Sequence, residues 1–100
     1  RPKVLIEPDA LGGSYLLTIA CNDRPGLLYA VTSELARAGV NLQTARIATL
    51  GERAEDIFQI TGEMLADPAA CLKISARLVE AIAPEPGLQK KAAPAAGSSK

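Results

Sequence analysis

The apolar residues of this chain change their spacing twice, and each change marks a passage from strand to helix. They alternate with a period of two between residues 3 and 21, and then recur at helical spacing between residues 27 and 38. The same pair of patterns returns between residues 40 and 82. This alternation predicts an α+β fold in which helices cover a sheet.

Two runs near the start predict the first two strands. Residues 3–7 alternate apolar with polar side chains, and residues 14–21 are apolar on both faces, because Leu16 and Ala20 oppose a second apolar set. That second set is Tyr15, Leu17, Ile19 and Cys21. A strand that is apolar on both faces is usually central in its sheet, so we expect residues 14–21 at the centre.

Residues that typically start and end helices bound each run of helical spacing. A first helix is predicted to about Ala38, with Pro25 in its first turn and Gly39 as a left-handed C-terminal cap. A second helix is predicted to begin with Asp67 as N-cap and Pro68 as its first residue. Their apolar stripes are Leu27, Val31, Leu35 and Ala38, and Cys71, Ile74, Leu78 and Ile82.

Two longer strands lie between the helices, at residues 40–50 and 54–63, joined by a tight turn at 51–53. A bulge near Gln43–Thr44 is needed to bring the apolar residues of the first of them to one face. These residues are Val40, Leu42, Ala45 and Ile47. Four charged side chains flank the turn, and they predict either a solvated rim or an ion-paired contact with another domain. They are Arg46, Arg53, Glu55 and Asp56.

The resulting order is close to the ferredoxin-like plan: a four-stranded antiparallel sheet with two helices on one face. Pro84 ends the second helix, and the strand expected after it is missing. The strand at 3–7 can fill that sheet edge instead. We therefore expect one domain over residues 1–83. Residues 84–100 contain one large apolar residue, Leu88, which predicts a disordered tail.

Composition excludes several classes of function. Formal net charge is +0 with acids and bases interspersed, which argues against nucleic-acid binding. The chain has no His and no Cys-x-x-Cys pair, so we expect no metal, no cofactor and no catalytic residue. Cys21 and Cys71 are predicted to be buried, reduced thiols. We see no signal peptide or bilayer-spanning run, and we expect a cytoplasmic domain without membrane contact.

The segment 22–28, Asn-Asp-Arg-Pro-Gly-Leu-Leu, joins the central strand to the first helix. Free N–H groups and the positive end of the helix dipole favour a carboxylate there. Asp23 can hold an ammonium group, and Gly26 lets a ligand approach the backbone. This pattern fits an α-amino acid. The alternative is structural: Asp23 caps the helix, Pro25 starts it and Gly26 fits a crowded turn.

The motifs DRPGLL and GVNLQTARIATLGERAEDIF resemble the ACT domains, and most closely those that end the bacterial PII-protein uridylyltransferase/uridylyl-removing enzymes. The resemblance covers about residues 3–83. It implies a regulatory domain that senses an amino acid, with glutamine favoured, and controls nitrogen signalling. It also implies a ligand site formed by Asn22, Asp23, Arg24, Gly26, Leu27 and Leu28, approached by Asn41 of a neighbouring domain.

Three interpretations follow from the pattern and the resemblance. The first is the sensor, paired as a homodimer or with another ACT domain of its own chain. The second is an interaction module that associates through its sheet and binds no small molecule. The third is an ACT domain of a different amino-acid-regulated enzyme.

Overall fold

The computed structural model describes residues 2–83, which form the predicted α+β fold. The elements in chain order are β1 (Lys3–Pro8), β2 (Tyr15–Asn22), α1 (Leu27–Arg37), β3 (Asn41–Leu50), β4 (Arg53–Thr61), a 3-10 helix (Glu63–Ala66) and α2 (Pro68–Ile82). The short 3-10 helix was not predicted. The tail expected at 84–100 lies outside the described residues.

The four strands form one antiparallel sheet in the order β1-β2-β4-β3. β2 is internal, as its two apolar faces predicted, and β1 occupies one edge. Leu17 of β2 lies opposite Ile6 of β1 and Phe58 of β4, so these residues share one face. β3 forms the other edge. The two edges of the sheet are therefore β1 and β3.

The core lies between one face of the sheet and the two helices. It is aliphatic apart from Phe58, as the scarcity of aromatic residues requires. The fully buried large side chains are Phe58, Leu17, Ile19, Leu35, Ile60, Leu78 and Val31. Burial of each such side chain stabilises the fold by about 1.5–3 kcal/mol. The predicted helix stripes supply the helical half of this core, with Ala38 and Cys71 half-buried at its margin.

α1 begins at Leu27, where the helical spacing begins, and ends at its predicted cap, but Pro25 is not in its first turn. Gly39 has φ 77°, and the Val40 N–H donates to the Leu35 carbonyl at 2.9 Å, which is the left-handed cap that was expected. At the other end, Pro25 lies in a turn before the helix, so its predicted place in the first helical turn is wrong. The first helical bond runs from the Ala30 N–H to the Gly26 carbonyl at 2.9 Å.

The predicted bulge is present in β3 between Leu42 and Thr44. It brings Leu42 and Ala45 opposite Ile60 and Phe58, on the face that the helices cover elsewhere. The helices do not extend over β3, however, and all ten of its residues are exposed. An apolar strand edge therefore stands open along one side of the domain.

Candidate functional site

The predicted ligand loop lies where β2 ends and α1 begins. Asn22, the last residue of β2, pairs with Arg53 at the start of β4. The next residue, Asp23, donates its backbone N–H to the Glu52 carbonyl at 2.7 Å. The loop is thus tied to the β3–β4 turn, and its position is fixed by backbone contacts at the end of the sheet.

Gly26 occupies the N-cap position of α1 with φ 81° and no side-chain cap. This left-handed conformation explains the glycine, since side chains with a Cβ rarely adopt it. A Cβ built on Gly26 meets no atom within 4 Å. The space in front of the helix start is therefore open, and a ligand can approach the backbone there.

Asp23 is exposed, and its carboxylate accepts no hydrogen bond from the described residues. The alternative in which Asp23 caps α1 is therefore wrong, because the cap position belongs to Gly26, three residues later. A carboxylate beside an uncapped helix start leaves one negative group and several N–H donors for a ligand.

Arg24 connects the loop to the second helix. Its Nη2 donates to the Ala81 carbonyl at 2.8 Å, near the end of α2, and its Nε is buried without a partner among the described residues. The guanidinium group is thus engaged with α2. This contact gives Arg24 a role in holding the loop, beside the ligand-lining role that the family resemblance implied.

The two leucines that follow Gly26 have different surroundings. Leu27 is buried in the core at 5% exposure, whereas Leu28 is 47% exposed. Only Leu28 presents apolar surface beside the loop. Leu27 anchors the start of α1 in the core.

Asn41 lies at the opposite end of the sheet from the loop. It pairs with Thr61 at the end of β4, whereas Asn22 pairs with Arg53 at the start of that strand. Eight residues of strand separate the two positions, or about 27 Å at roughly 3.4 Å per residue. One copy of the domain does not bring Asn41 to its own loop.

Asp56 is a buried carboxylate, so the solvated rim that the sequence analysis offered is wrong for this residue, whereas the alternative, an ion-paired contact with another domain, stays a prediction. It is 2% exposed and shares the helix-side face of β4 with Phe58 and Ile60. Burial raises its pKa, the Ala48 N–H opposes that shift, and the nearby Asp23 carboxylate adds to it. Because side chains alternate between the two faces of a strand, counting back two residues from the apolar Phe58 would have placed Asp56 on the buried face.

The cysteines are both free, as predicted. Cys21 is buried beside the loop, where burial raises the pKa of its thiol and the Asp56 carboxylate raises it further. Cys71 is half-buried, and its Sγ donates to the Leu65 carbonyl at 3.2 Å. Within residues 2–83 no cluster of ligating side chains suited to a metal is present, and no helix is long and apolar enough to cross a bilayer.

Among the grooves on the helix side of the described residues are two larger ones that none of the loop residues line. One, of about 430 Å³, runs between the end of α1 and the first half of α2, and carries Arg37, Lys73 and Arg77. The other, of about 560 Å³, is mostly apolar and lies between β1 and α2. A ligand at the loop would therefore bind on an open surface unless a second domain closes it.

Comparison with solved structures places the fold among known ones. A crystal structure of an unknown protein from Galdieria sulphuraria superposes with a TM-score of 0.61 at 22% identity, covering 71% of this chain and 39% of that one. A quorum-quenching acylase, GqqA, superposes with a TM-score of 0.54 at 27% identity, covering 81% and 30%.

Curated relatives are similar over most of the chain. A bifunctional uridylyltransferase/uridylyl-removing enzyme of Nitrosospira multiformis is 42% identical over 93 residues, which is 91% of this chain and 10% of that enzyme. The enzyme of the same name from Cupriavidus pinatubonensis is 53% identical over 66 residues, or 66% and 8%. The chain thus spans about a tenth of the length of these relatives.

The family model of the ACT domain matches residues 15–70. That span runs from the start of β2 to the first turn of α2, and it includes the loop, the open β3 edge and the buried Asp56. The fold, the loop motif and this match agree, and the chain belongs to the ACT domain family.

Proposed function

We propose that this chain is the regulatory, amino-acid-binding domain of a uridylyltransferase/uridylyl-removing enzyme, and that its ligand is glutamine. The observation that carries the proposal is the start of α1. Gly26 leaves the helix N-terminus open, and Asp23 stands beside it without a partner among the described residues. These two groups match the two charges of an α-amino acid.

The ligand's carboxylate would lie against the first-turn N–H groups of α1, where the helix dipole favours an anion. Its ammonium group would lie against the Asp23 carboxylate. The backbone tie from Asp23 to Glu52 and the Arg24 contact to Ala81 hold the loop on both sides. A loop held in this way loses little conformational entropy on binding, which favours affinity for a small ligand.

A second ACT domain would complete the site. β3 exposes all ten residues and an unpaired backbone edge, which is suited to pairing with another strand. Antiparallel pairing of two β3 strands would bring Asn41 of one domain toward the loop of the other, across the distance that one copy cannot span. The partner can be a second copy of this chain or another ACT domain of the parent enzyme, and light scattering at micromolar concentration distinguishes a dimer from a monomer.

The names of the relatives support the parent enzyme that we propose. They attach and remove uridylyl groups, and this chain corresponds to about a tenth of their length. It contains no His, the residue that most often serves as a general acid or base. Its role in such an enzyme would be to report the glutamine level in nitrogen signalling, and to shift the balance between attachment and removal on the PII protein.

Calorimetric titration of the chain with each common amino acid tests the proposal. We expect heat with glutamine and much weaker heat with the others. Asp23→Asn should weaken binding about ten- to a hundred-fold, because it removes a charge-assisted contact worth roughly 1.5–3 kcal/mol. Glu7→Gln, an equivalent change on the distant strand β1, is the matched control and should bind as wild type.

The second candidate is a module that pairs through β3 and binds no amino acid. The open apolar edge favours it independently of the loop. A stable dimer that gives no heat with any amino acid would support this candidate and contradict the sensor.

A further inference from the structure

Asp56 is the one charged side chain that is buried among the described residues. Asp56 is 2% exposed in a core that is otherwise aliphatic. Its single hydrogen bond within the described residues is the Ala48 N–H to its Oδ1, and at 3.4 Å this bond is long. Its Oδ2 accepts no hydrogen bond from the described residues and keeps a little solvent access. A buried carboxylate is costly unless it is paired with a cation or well hydrogen-bonded.

No cation of the described residues compensates Asp56. The one ion pair found between residues 2 and 83 joins Arg37 and Glu34, on the far side of α1. Arg24 is the cation of the loop, but its guanidinium donates to the Ala81 carbonyl. The charged group that acts on Asp56 electrostatically is instead another carboxylate, Asp23. Two carboxylates thus share this end of the domain, and neither forms an ion pair with a cation among residues 2–83, although Arg24 and Arg53 lie at the same end.

The position of Asp56 points toward the proposed ligand site. It lies opposite Ile19 of β2 and Ile47 of β3, and Ile47 is half exposed on the open edge. This row of paired residues therefore runs across the sheet from the core to the exposed β3 edge, where a second domain is expected. Ala54, two residues earlier on the same face, lies opposite Cys21, where β2 passes into the loop.

We propose that Asp56 is the second anionic contact for the ammonium group of the amino-acid ligand, acting together with Asp23. This inference rests on the proposed function and names a residue outside the loop motif. It gives the buried carboxylate the cation that the described residues do not supply. The ligand would be a primary amine-bearing amino acid, and analogues that lack the amino group would lose most of the affinity.

Glutamine and 4-carbamoylbutanoate, which is glutamine without its amino group, are the two probes. Asp56→Asn keeps the shape and the acceptor for the Ala48 N–H, and removes only the charge. We expect it to weaken glutamine binding about ten-fold or more and to leave 4-carbamoylbutanoate unchanged. Glu55→Gln is the matched control, since Glu55 is the adjacent residue on the opposite, exposed face. It should bind both probes as wild type.

The pH dependence of glutamine binding is the second measurement. Asp23 from the loop acts on the Asp56 carboxylate, and β3 supplies the Ala48 N–H. Asp56 acts in turn on Cys21 of β2, on which Arg24 and Arg53 also act, and the buried side chains of α1 are apolar. Affinity should rise as pH rises through the Asp56 titration, and Asp56→Asn should remove that part of the slope.

The outcomes separate this inference from the function on which it rests. Wild type that binds no amino acid contradicts the proposed function and this inference with it. Two results overturn this inference alone, provided that wild type binds glutamine. One is that Asp56→Asn binds glutamine as tightly as wild type does; the other is that it loses the same factor of affinity for both probes. If Asp56→Asn fails to fold, a flat wild-type pH profile across the Asp56 titration overturns it.

Discussion

The two helices of this domain begin in different ways, although an aspartate and a proline lie at or just before the start of each. α2 is closed: Asp67 Oδ1 accepts the Ala69 N–H at 3.1 Å, and Pro68 occupies the first helical position. α1 is open: its N-cap is Gly26 and no side chain caps it. The chain can build a stabilising cap, and it does so at one helix only. The uncapped start is the one that the proposed function uses.

The largest effect should come from Gly26→Val. A β-branched residue at φ 81° is strained, and its side chain would also fill the open space before α1. We expect glutamine binding to be lost and the free energy of unfolding to fall by about 1–2 kcal/mol. Calorimetry and thermal melts measure the two effects.

Gly12→Val is the matched control, because Gly12 has the same φ of 81° and nothing within 4 Å, but lies in the β1–β2 loop. It should lower stability by a similar amount and leave binding intact. Gly26→Asn tolerates the left-handed conformation better and should weaken binding with a smaller stability loss. Equal binding losses at Gly12 and Gly26 would mean that strain, and not access to the backbone, is responsible.

Because only α2 has a side-chain cap, we expect opposite effects from removing Asp67 and Asp23. Asp67→Ala should lower the free energy of unfolding by about 1 kcal/mol, because it removes the α2 cap, and should not change glutamine binding. Asp23→Ala should weaken glutamine binding and leave the free energy of unfolding nearly unchanged. Urea unfolding and calorimetry on both variants give the four values. A stability loss at Asp23 as large as that at Asp67 would show that the two helix starts are equivalent.

A smaller effect concerns the pH dependence of stability. The pKa of Asp56 is raised in the fold, mainly by burial, so the unfolded chain loses this proton at lower pH than the folded domain. The contribution of Asp56 to the free energy of unfolding therefore falls as pH rises from the pKa of an ordinary aspartate to the higher pKa of the folded domain. Above that folded pKa the contribution is constant. Asp56→Asn should be more stable than wild type at neutral pH, with the gap closing in acid. A gap that widens in acid would contradict the sign.

Sequence reasoning located the elements well where the signal was local. The Asp67-Pro68 start, the Gly39 cap and the β3 bulge each depend on a few adjacent residues, and each was found. The place of Pro25 was wrong, because a proline just before a helical pattern is typical of a first helical turn, whereas here Gly26, with its positive φ, separates it from the helix.

The rest of the site depends on tertiary placement. Asp56 was assigned by its charge and its distance from a turn, but its alternation with Phe58 decides its face. The exposure of β3 could not be read from its apolar residues, because the helices leave this edge uncovered. The distance of Asn41 from the loop likewise follows from strand pairing, which the sequence does not specify.

The contrast between an open α1 and a closed α2 can be tested in one titration. Amide resonances of the chain are followed by NMR as glutamine is added. The account predicts the largest shifts for residues 23–29, with the amides of residues 67–71 unmoved. Shifts centred on the start of α2, or no shifts at the start of α1 while calorimetry records binding, would contradict it.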